Sequence, residues 1–179
     1  ELDELRTEPS ETENTELLIL RSKGHQRRGD LAMTHDNLST ALREYEAARA
    51  IGEALVQRLP GSSQVQRDLS ISLEKLGNVA VKMGQLGEAK VWFERSLKIR
   101  EKLALADAND AQAQRDLSIS LNKLGEVAVK MGQLGEAKVW FERSLKISEK
   151  LAFADANDAQ VQRDLSISLE KLGNVAVKM

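Results

Sequence analysis

The sequence contains no cysteine among its 179 residues, so it has no disulfide framework, no thiolate metal site and no cysteine nucleophile. Aromatic residues make up only 3% of the chain, which leaves aliphatic side chains and alanine to form the core. No apolar run approaches the roughly 20 residues that span a bilayer. The 26 basic and 28 acidic residues are interspersed and nearly cancel. This composition predicts a cytoplasmic protein without nucleic-acid or membrane partners.

The main feature that is present is an internal repeat with a period of 48 residues. Residues 66–113 recur as residues 114–161, and residues 162–179 are identical to residues 66–83. The two complete copies differ at five positions, namely Glu74/Asn122, Asn78/Glu126, Arg100/Ser148, Leu105/Phe153 and Ala113/Val161. Units this similar contact their neighbours through the same surfaces, which predicts a solenoid.

A diverged copy precedes the near-identical ones, with Gly29 at the position of Gly77 and Tyr45 at the position of Phe93. We therefore predict a disordered lead-in or linker over residues 1–13 and a diverged N-terminal capping repeat over residues 14–65. Complete repeats follow over residues 66–113 and 114–161. We expect residues 162–179 to be the first helix of a truncated repeat.

Within a repeat the apolar residues recur at helical spacing. Leu69, Leu73, Leu76 and Ala80 form one stripe, and a second segment starts after Gly84. Each segment is about 20 residues long, and the short break between the two is typical of antiparallel neighbours. Between repeats, Asn109 is the residue that we expect to cap the next helix.

Residues 73–97, LEKLGNVAVKMGQLGEAKVWFERSL, resemble the tetratricopeptide repeat. Leu76-Gly77 supplies its Leu-Gly pair, and Ala89 with Phe93 supplies its A-x3-F pattern. The same match recurs 48 residues later. The resemblance implies an all-α, right-handed α-solenoid of antiparallel helix pairs. The period is 48 where the family usually has about 34, and Glu101 replaces the family's proline, so the resemblance is to a long-helix variant.

The resemblance also implies a protein-interaction scaffold, not an enzyme, in which the first helix of each repeat lines a concave groove for a peptide or partner protein. No cofactor or metal is implied, and His25 and His35 have no partnered nucleophile. Helical geometry places the groove opposite the apolar stripe. The predicted groove residues are Glu74, Lys75, Asn78, Val81, Lys82, Asn122, Lys123, Glu126, Val129, Lys130, Lys171, Asn174 and Lys178.

Two of the five differences between the copies, Glu74/Asn122 and Asn78/Glu126, fall on this predicted face, which we interpret as tuning of the groove. The alternative is an ordinary solvated helix face with chance substitutions.

Two other functions stay open, a structural self-assembly module and a regulatory or sensor segment of a larger protein. The first is favoured by residues 162–179, because Leu172, Ala176 and Met179 would lack a covering helix and would promote homo-oligomers.

Overall fold

In residues 11–179, which the computed structural model describes, the chain forms seven α-helices and no strand. The helices are α1 (Glu11–Thr34), α2 (Leu38–Arg58), α3 (Ser63–Lys82), α4 (Leu86–Ala106), α5 (Ala111–Lys130), α6 (Leu134–Ala154) and α7 (Ala159–Lys178). The predicted lead-in lies outside the described residues as far as residue 10, and α1 begins three residues before the predicted start of the array. Helices α3, α5 and α7 begin at residues 63, 111 and 159, so their starts follow the sequence repeat.

Tight turns reverse the chain after α1, α3 and α5. After α3, Gly84 adopts a left-handed φ of 75°, and the Gln85 N–H donates to the Ala80 carbonyl at 2.8 Å. This bond satisfies a carbonyl of the last helical turn and ends the helix. The same geometry recurs at Gly132, while Asp36 takes the left-handed position after α1 with a φ of 56°. Each turn therefore forms an antiparallel helix pair.

Aspartates begin the first helices of the later pairs. The Asp110 carboxylate accepts hydrogen bonds from the backbone N–H groups of Gln112 and Ala113 at 2.9 and 3.0 Å, and Asp158 caps α7 in the same way. The prediction that Asn109 is the cap was wrong by one residue. An aspartate fits this place because its negative charge also complements the positive end of the helix dipole.

The chain divides into two compact units, Glu1–Ser72 and Leu73–Met179, with the boundary inside α3. In the first unit, Tyr45 packs directly on Gly29, where an added Cβ would lie 2.4 Å from the ring. In the second unit, Phe93 packs on Gly77 in the same way, and the pair that follows repeats the contact. The missing side chain at each glycine lets an aromatic ring of the second helix approach the backbone of the first.

The core of the second unit passes from one helix pair to the next. Ala80 of α3 and Phe93 of α4 pack in one cluster with Leu121 and Leu124 of α5. A second cluster joins Phe141 of α6 to Val175 of α7. These contacts confirm the predicted all-α fold of antiparallel helix pairs, and the right-handed sense of the solenoid stays a prediction.

Candidate binding groove

Part of the predicted groove face forms a cavity of about 410 Å³ along α5 and α7. Six predicted groove residues line it, namely Glu126, Val129, Lys130, Lys171, Asn174 and Lys178. They come together because α5 and α7 are the first helices of consecutive pairs and differ in sequence at only three positions, of which Glu126/Asn174 lines the cavity. The remaining predicted residues lie outside this cavity.

The floor of the cavity is apolar. Phe141 and Val175 line it and are almost completely buried. The A-x3-F pattern marks Phe141 as a packing residue, whereas sequence reasoning made no prediction for Val175. A phenylalanine that fills the space between two helices can also expose the edge of its ring at the bottom of a groove. The site therefore combines a hydrophobic floor with polar walls, which is typical of ligand pockets.

The walls of the cavity carry more positive than negative charge. Its single carboxylate, Glu126, pairs with the Lys171 ammonium and lies 3.9 Å from that of Lys123. The Lys171 ammonium also lies 6.0 Å from the centre of the Phe141 ring. Lys130 and Lys178 are exposed and have no ion pair within residues 14–179. Two cationic groups thus remain to meet an anionic partner.

On α3, the structure gives Glu74 a role that sequence reasoning missed. Its carboxylate pairs with the Arg100 guanidinium of α4 at 2.7 Å, and the Arg100 side chain is only 4% exposed. Arg100 also donates to the Asp116 carbonyl and to the Ser120 hydroxyl, each at 3.0 Å. Glu74 and Arg100 therefore belong to a buried polar contact between one helix pair and the next, which we call a junction. This contact favours a structural reason for the Glu74/Asn122 difference over the tuning of a groove.

The same junction in the next pair is built without charge. Ser148 replaces Arg100, and its hydroxyl lies 3.2 Å from that of Ser168 and 3.3 Å from that of Ser118. Asn122 replaces Glu74, and its Oδ1 atom is buried without a hydrogen-bond partner. Two of the five differences between the copies therefore belong to one coupled change, which only a contact between α3 and α4 could reveal.

The first pair satisfies its junction in a third way. Gly52 stands at the position of Arg100 and has no side chain. Gln26, at the position of Glu74, instead donates directly to the Asp68 carbonyl at 3.2 Å and to the Ser72 hydroxyl at 2.8 Å. Helix α3 thus presents to Gln26 the same two acceptors, an aspartate carbonyl and a serine hydroxyl, that α5 presents to Arg100.

The only two histidines of the sequence do not form a reactive cluster in the described structure. His25 Nδ1 lies 2.9 Å from the Glu44 carboxylate, which also accepts a hydrogen bond from Arg28 at 2.9 Å. These two hydrogen bonds hold the pKa of Glu44 below its ordinary value. Within the described residues, no group of three or more His, Asp or Glu side chains is arranged to hold a metal ion.

The two tryptophans of the sequence lie against the core of the second unit. The Trp92 and Trp140 side chains pack against the core clusters, and Arg95 lies over the Trp92 ring at 5.0 Å. Over the part of the chain that the structure describes, none of the helices has the length and apolar character to cross a membrane.

Comparison with known proteins supports the repeat. Models of the tetratricopeptide repeat match residues 71–107 and residues 119–151. No curated protein matches the chain. Among solved structures, a de novo designed helical repeat protein, DHR64, is 12% identical, with 92% of this chain and 94% of that chain covered and a TM-score of 0.36. The MamA protein is 16% identical, with 87% and 94% covered and a TM-score of 0.29.

The two matched segments indicate the general function of the chain. They contain the Leu-Gly pairs and A-x3-F patterns whose glycine and phenylalanine side by side build each helix pair. Tetratricopeptide repeats serve as protein-interaction scaffolds, which is the general role that the chain shares. Residues 71–107 and 119–151 therefore match the tetratricopeptide repeat family.

Proposed function

We propose that the chain binds an acidic peptide segment of a partner protein in the cavity along α5 and α7. The observation that carries the proposal is the apolar floor of Phe141 and Val175 beneath exposed Lys130 and Lys178. An aliphatic side chain of the peptide would pack on the floor. Its carboxylates would meet the two ammonium groups, and the Asn174 amide would bond its backbone.

The charge balance of the cavity favours an anionic peptide over a neutral one. Glu126 is already engaged by Lys171, so it does not oppose an incoming carboxylate as a lone charge would. An exposed ion pair contributes about 0.2–1 kcal/mol, so each lysine contributes a factor of roughly two to five in affinity. The lysines therefore provide selectivity for an anionic peptide.

The test uses a fluorescein-labelled peptide with two glutamates on either side of a leucine, and a matched peptide with glutamines in place of the glutamates. Fluorescence anisotropy should show tighter binding of the acidic peptide, and Lys130→Gln and Lys178→Gln should each weaken it about two- to fivefold. Lys138→Gln is the control, because Lys138 is exposed on α6 and lies outside the cavity. Equal binding of both peptides, or an equal loss in the control, would reject the proposal.

Self-assembly is a second candidate function, and α7 favours it. Ala176 and Met179 are exposed, whereas Leu172 is half-buried and packs against the core that contains Phe141. Of the three residues predicted for self-association, two are thus available on the surface. Light scattering of the chain at increasing concentration separates the candidates, because self-assembly predicts a mass that rises with concentration.

A further inference from the structure

A second cavity, of about 110 Å³, lies where the loop between α4 and α5 meets the last turns of α6. Two residues of this loop, two of α5 and four of α6 line it. All of them belong to the second compact unit, and none of them lines the cavity along α5 and α7. This space, which we call the loop cavity, is therefore a separate feature of the molecule.

The walls of the loop cavity are aliphatic. Ile147 and Leu151 stand one turn apart on α6, and Ala108 and Ala111 line the side formed by the loop and α5 with one methyl group each. Side chains this small leave the space beside the two larger residues unfilled. Apolar cavities bind small apolar molecules, as one of about 150 Å³ binds benzene in another protein. The loop cavity thus has the walls and the size for a short alkyl group.

The two alanines of this wall are not required by the connection itself. The connection between α2 and α3 has Pro60 and Ser63 at the positions of Ala108 and Ala111, and it still joins one helix pair to the next. A larger side chain at either position would narrow the cavity, and a hydroxyl would make its wall polar. The alanines therefore matter for the cavity more than for the connection.

One charged side chain, that of Lys150, is found among the residues that line the loop cavity. Lys150 is exposed and has no ion pair within residues 14–179. The neighbouring aspartates, Asp107 and Asp110, do not line the cavity, and their carboxylates accept hydrogen bonds from the backbone N–H groups of Asn109 and Gln112. The loop cavity thus joins an aliphatic interior to one ammonium group at its edge.

We propose that the loop cavity binds a short aliphatic carboxylic acid as a free small molecule. The alkyl chain of the acid packs against Ile147 and Leu151, and its carboxylate pairs with the ammonium group of Lys150. A methylene group occupies about as much space as a water molecule in the liquid, roughly 30 Å³, so about four carbons beyond the carboxylate fill the cavity. Pentanoate has this length. The single polar group at the edge fixes the orientation of the ligand.

The first experiment titrates the isotope-labelled full chain with sodium salts of the straight-chain acids from acetate to octanoate and follows the amide signals by NMR. The signals of Ala108, Ala111 and Leu151 should shift most. From acetate to pentanoate each added methylene should tighten binding about fourfold, because one more methylene group leaves water. Beyond pentanoate the affinity should stop rising, because the cavity is full. A continued rise through octanoate would show adsorption to exposed apolar surface and would overturn the proposal.

The role of the charge is tested by Lys150→Met, which keeps an unbranched apolar side chain but removes the ammonium group. It should weaken binding of pentanoate about two- to fivefold and leave binding of the neutral pentanol unchanged. Lys146→Met is the control, because Lys146 is exposed one turn earlier on α6 and does not line the cavity. Equal affinities of the unmodified chain for pentanoate and pentanol would contradict the role of Lys150.

The role of the cavity is tested by Ala111→Leu, which places a larger side chain in it. Ala111 is the exposed first residue of α5, so the circular dichroism spectrum should stay unchanged while binding of pentanoate is lost. Unchanged binding by this variant would reject the cavity as the site. Lys130→Gln, which tests the acidic-peptide site, should not affect pentanoate, so the two proposals fail independently.

Discussion

The junctions that follow α4 and α6 have nearly the same sequence but bury different chemistry. After α4, the Arg100 guanidinium joins the Glu74 carboxylate to the Asp116 carbonyl and the Ser120 hydroxyl. After α6, the same place holds serine hydroxyl groups, and the uncharged Asn122 stands at the position of Glu74. Repeats that differ at five positions thus solve one packing problem in two ways. The comparison teaches that the substitutions within a repeat are coupled to each other.

The two junctions differ in how much stability they lose when one residue is mutated. A buried ion pair gains little net free energy over neutral groups, because desolvation of both charges offsets their attraction. Loss of one partner is costly, however, because it leaves the other charge buried alone. A hydroxyl cluster has no such charge, so loss of one hydroxyl removes only an ordinary hydrogen bond. The arginine junction should therefore be much more sensitive to mutation than the serine junction.

The largest expected effect is that of Arg100→Ala. Removal of the guanidinium leaves Glu74 without its ion pair and the acceptors on α5 without their donor, which should lower the free energy of unfolding by about 3–5 kcal/mol. Ser148→Ala in the other junction should cost only about 1 kcal/mol. Urea titration followed by circular dichroism measures both values. Lys98→Ala, at an exposed position of the same helix as Arg100, is the control and should have little effect. Equal losses in the two junctions would contradict the comparison.

An exchange of chemistry between the junctions should show the coupling directly. Ser148→Arg alone places a charge at a buried position, and Asn122→Glu alone adds a carboxylate without its arginine, so each should destabilise the chain. The double variant recreates the Glu74–Arg100 pair and should be more stable than the sum of the single effects by about 1–3 kcal/mol. The four free energies of unfolding form a double-mutant cycle. Additive effects would mean that the two positions do not interact.

The smallest expected effects separate a covered helix from an uncovered one. Gly125→Ala places a Cβ 2.4 Å from the Phe141 ring, and this overpacking should cost about 1–3 kcal/mol. Gly173→Ala enters open space, where the helix propensity of alanine should stabilise the chain by up to about 1 kcal/mol. Thermal unfolding measures the opposite signs. A loss of stability in both variants would mean that Gly173 is not in open space in solution.

The fold could be predicted well from the sequence because each repeat contains the same secondary-structure signals. The alternation of two helical stripes around Gly84, the Leu-Gly pair and the A-x3-F pattern all agree, and the helix starts follow the 48-residue period. The cap was missed because Asn109 and Asp110 are both good cap residues and stand side by side. The backbone geometry decides between such neighbours, and the sequence does not contain it.

The site was harder to predict, because helical geometry assigns a residue to a face but does not say what lies opposite. Glu74 and Glu126 both fall on the predicted groove face, yet Glu74 turns to Arg100 while Glu126 lines the cavity with Lys171. The contribution of Phe141 to the cavity floor depends on how far apart α5 and α7 lie, which no spacing within one helix determines. The groove residues on α3 stay a prediction.

The acceptors at the junctions have a consequence for how such a protein can change length. Helices α3 and α5 both offer the same two groups to the preceding pair, a backbone carbonyl of an aspartate and the hydroxyl of a serine four residues later, although the donor differs. A duplicated unit would therefore join its neighbour without any compensating mutation in that neighbour. Gene segments that encode one unit can thus be gained or lost in a single recombination event. The hydrogen bonds between the units that become neighbours are then preserved.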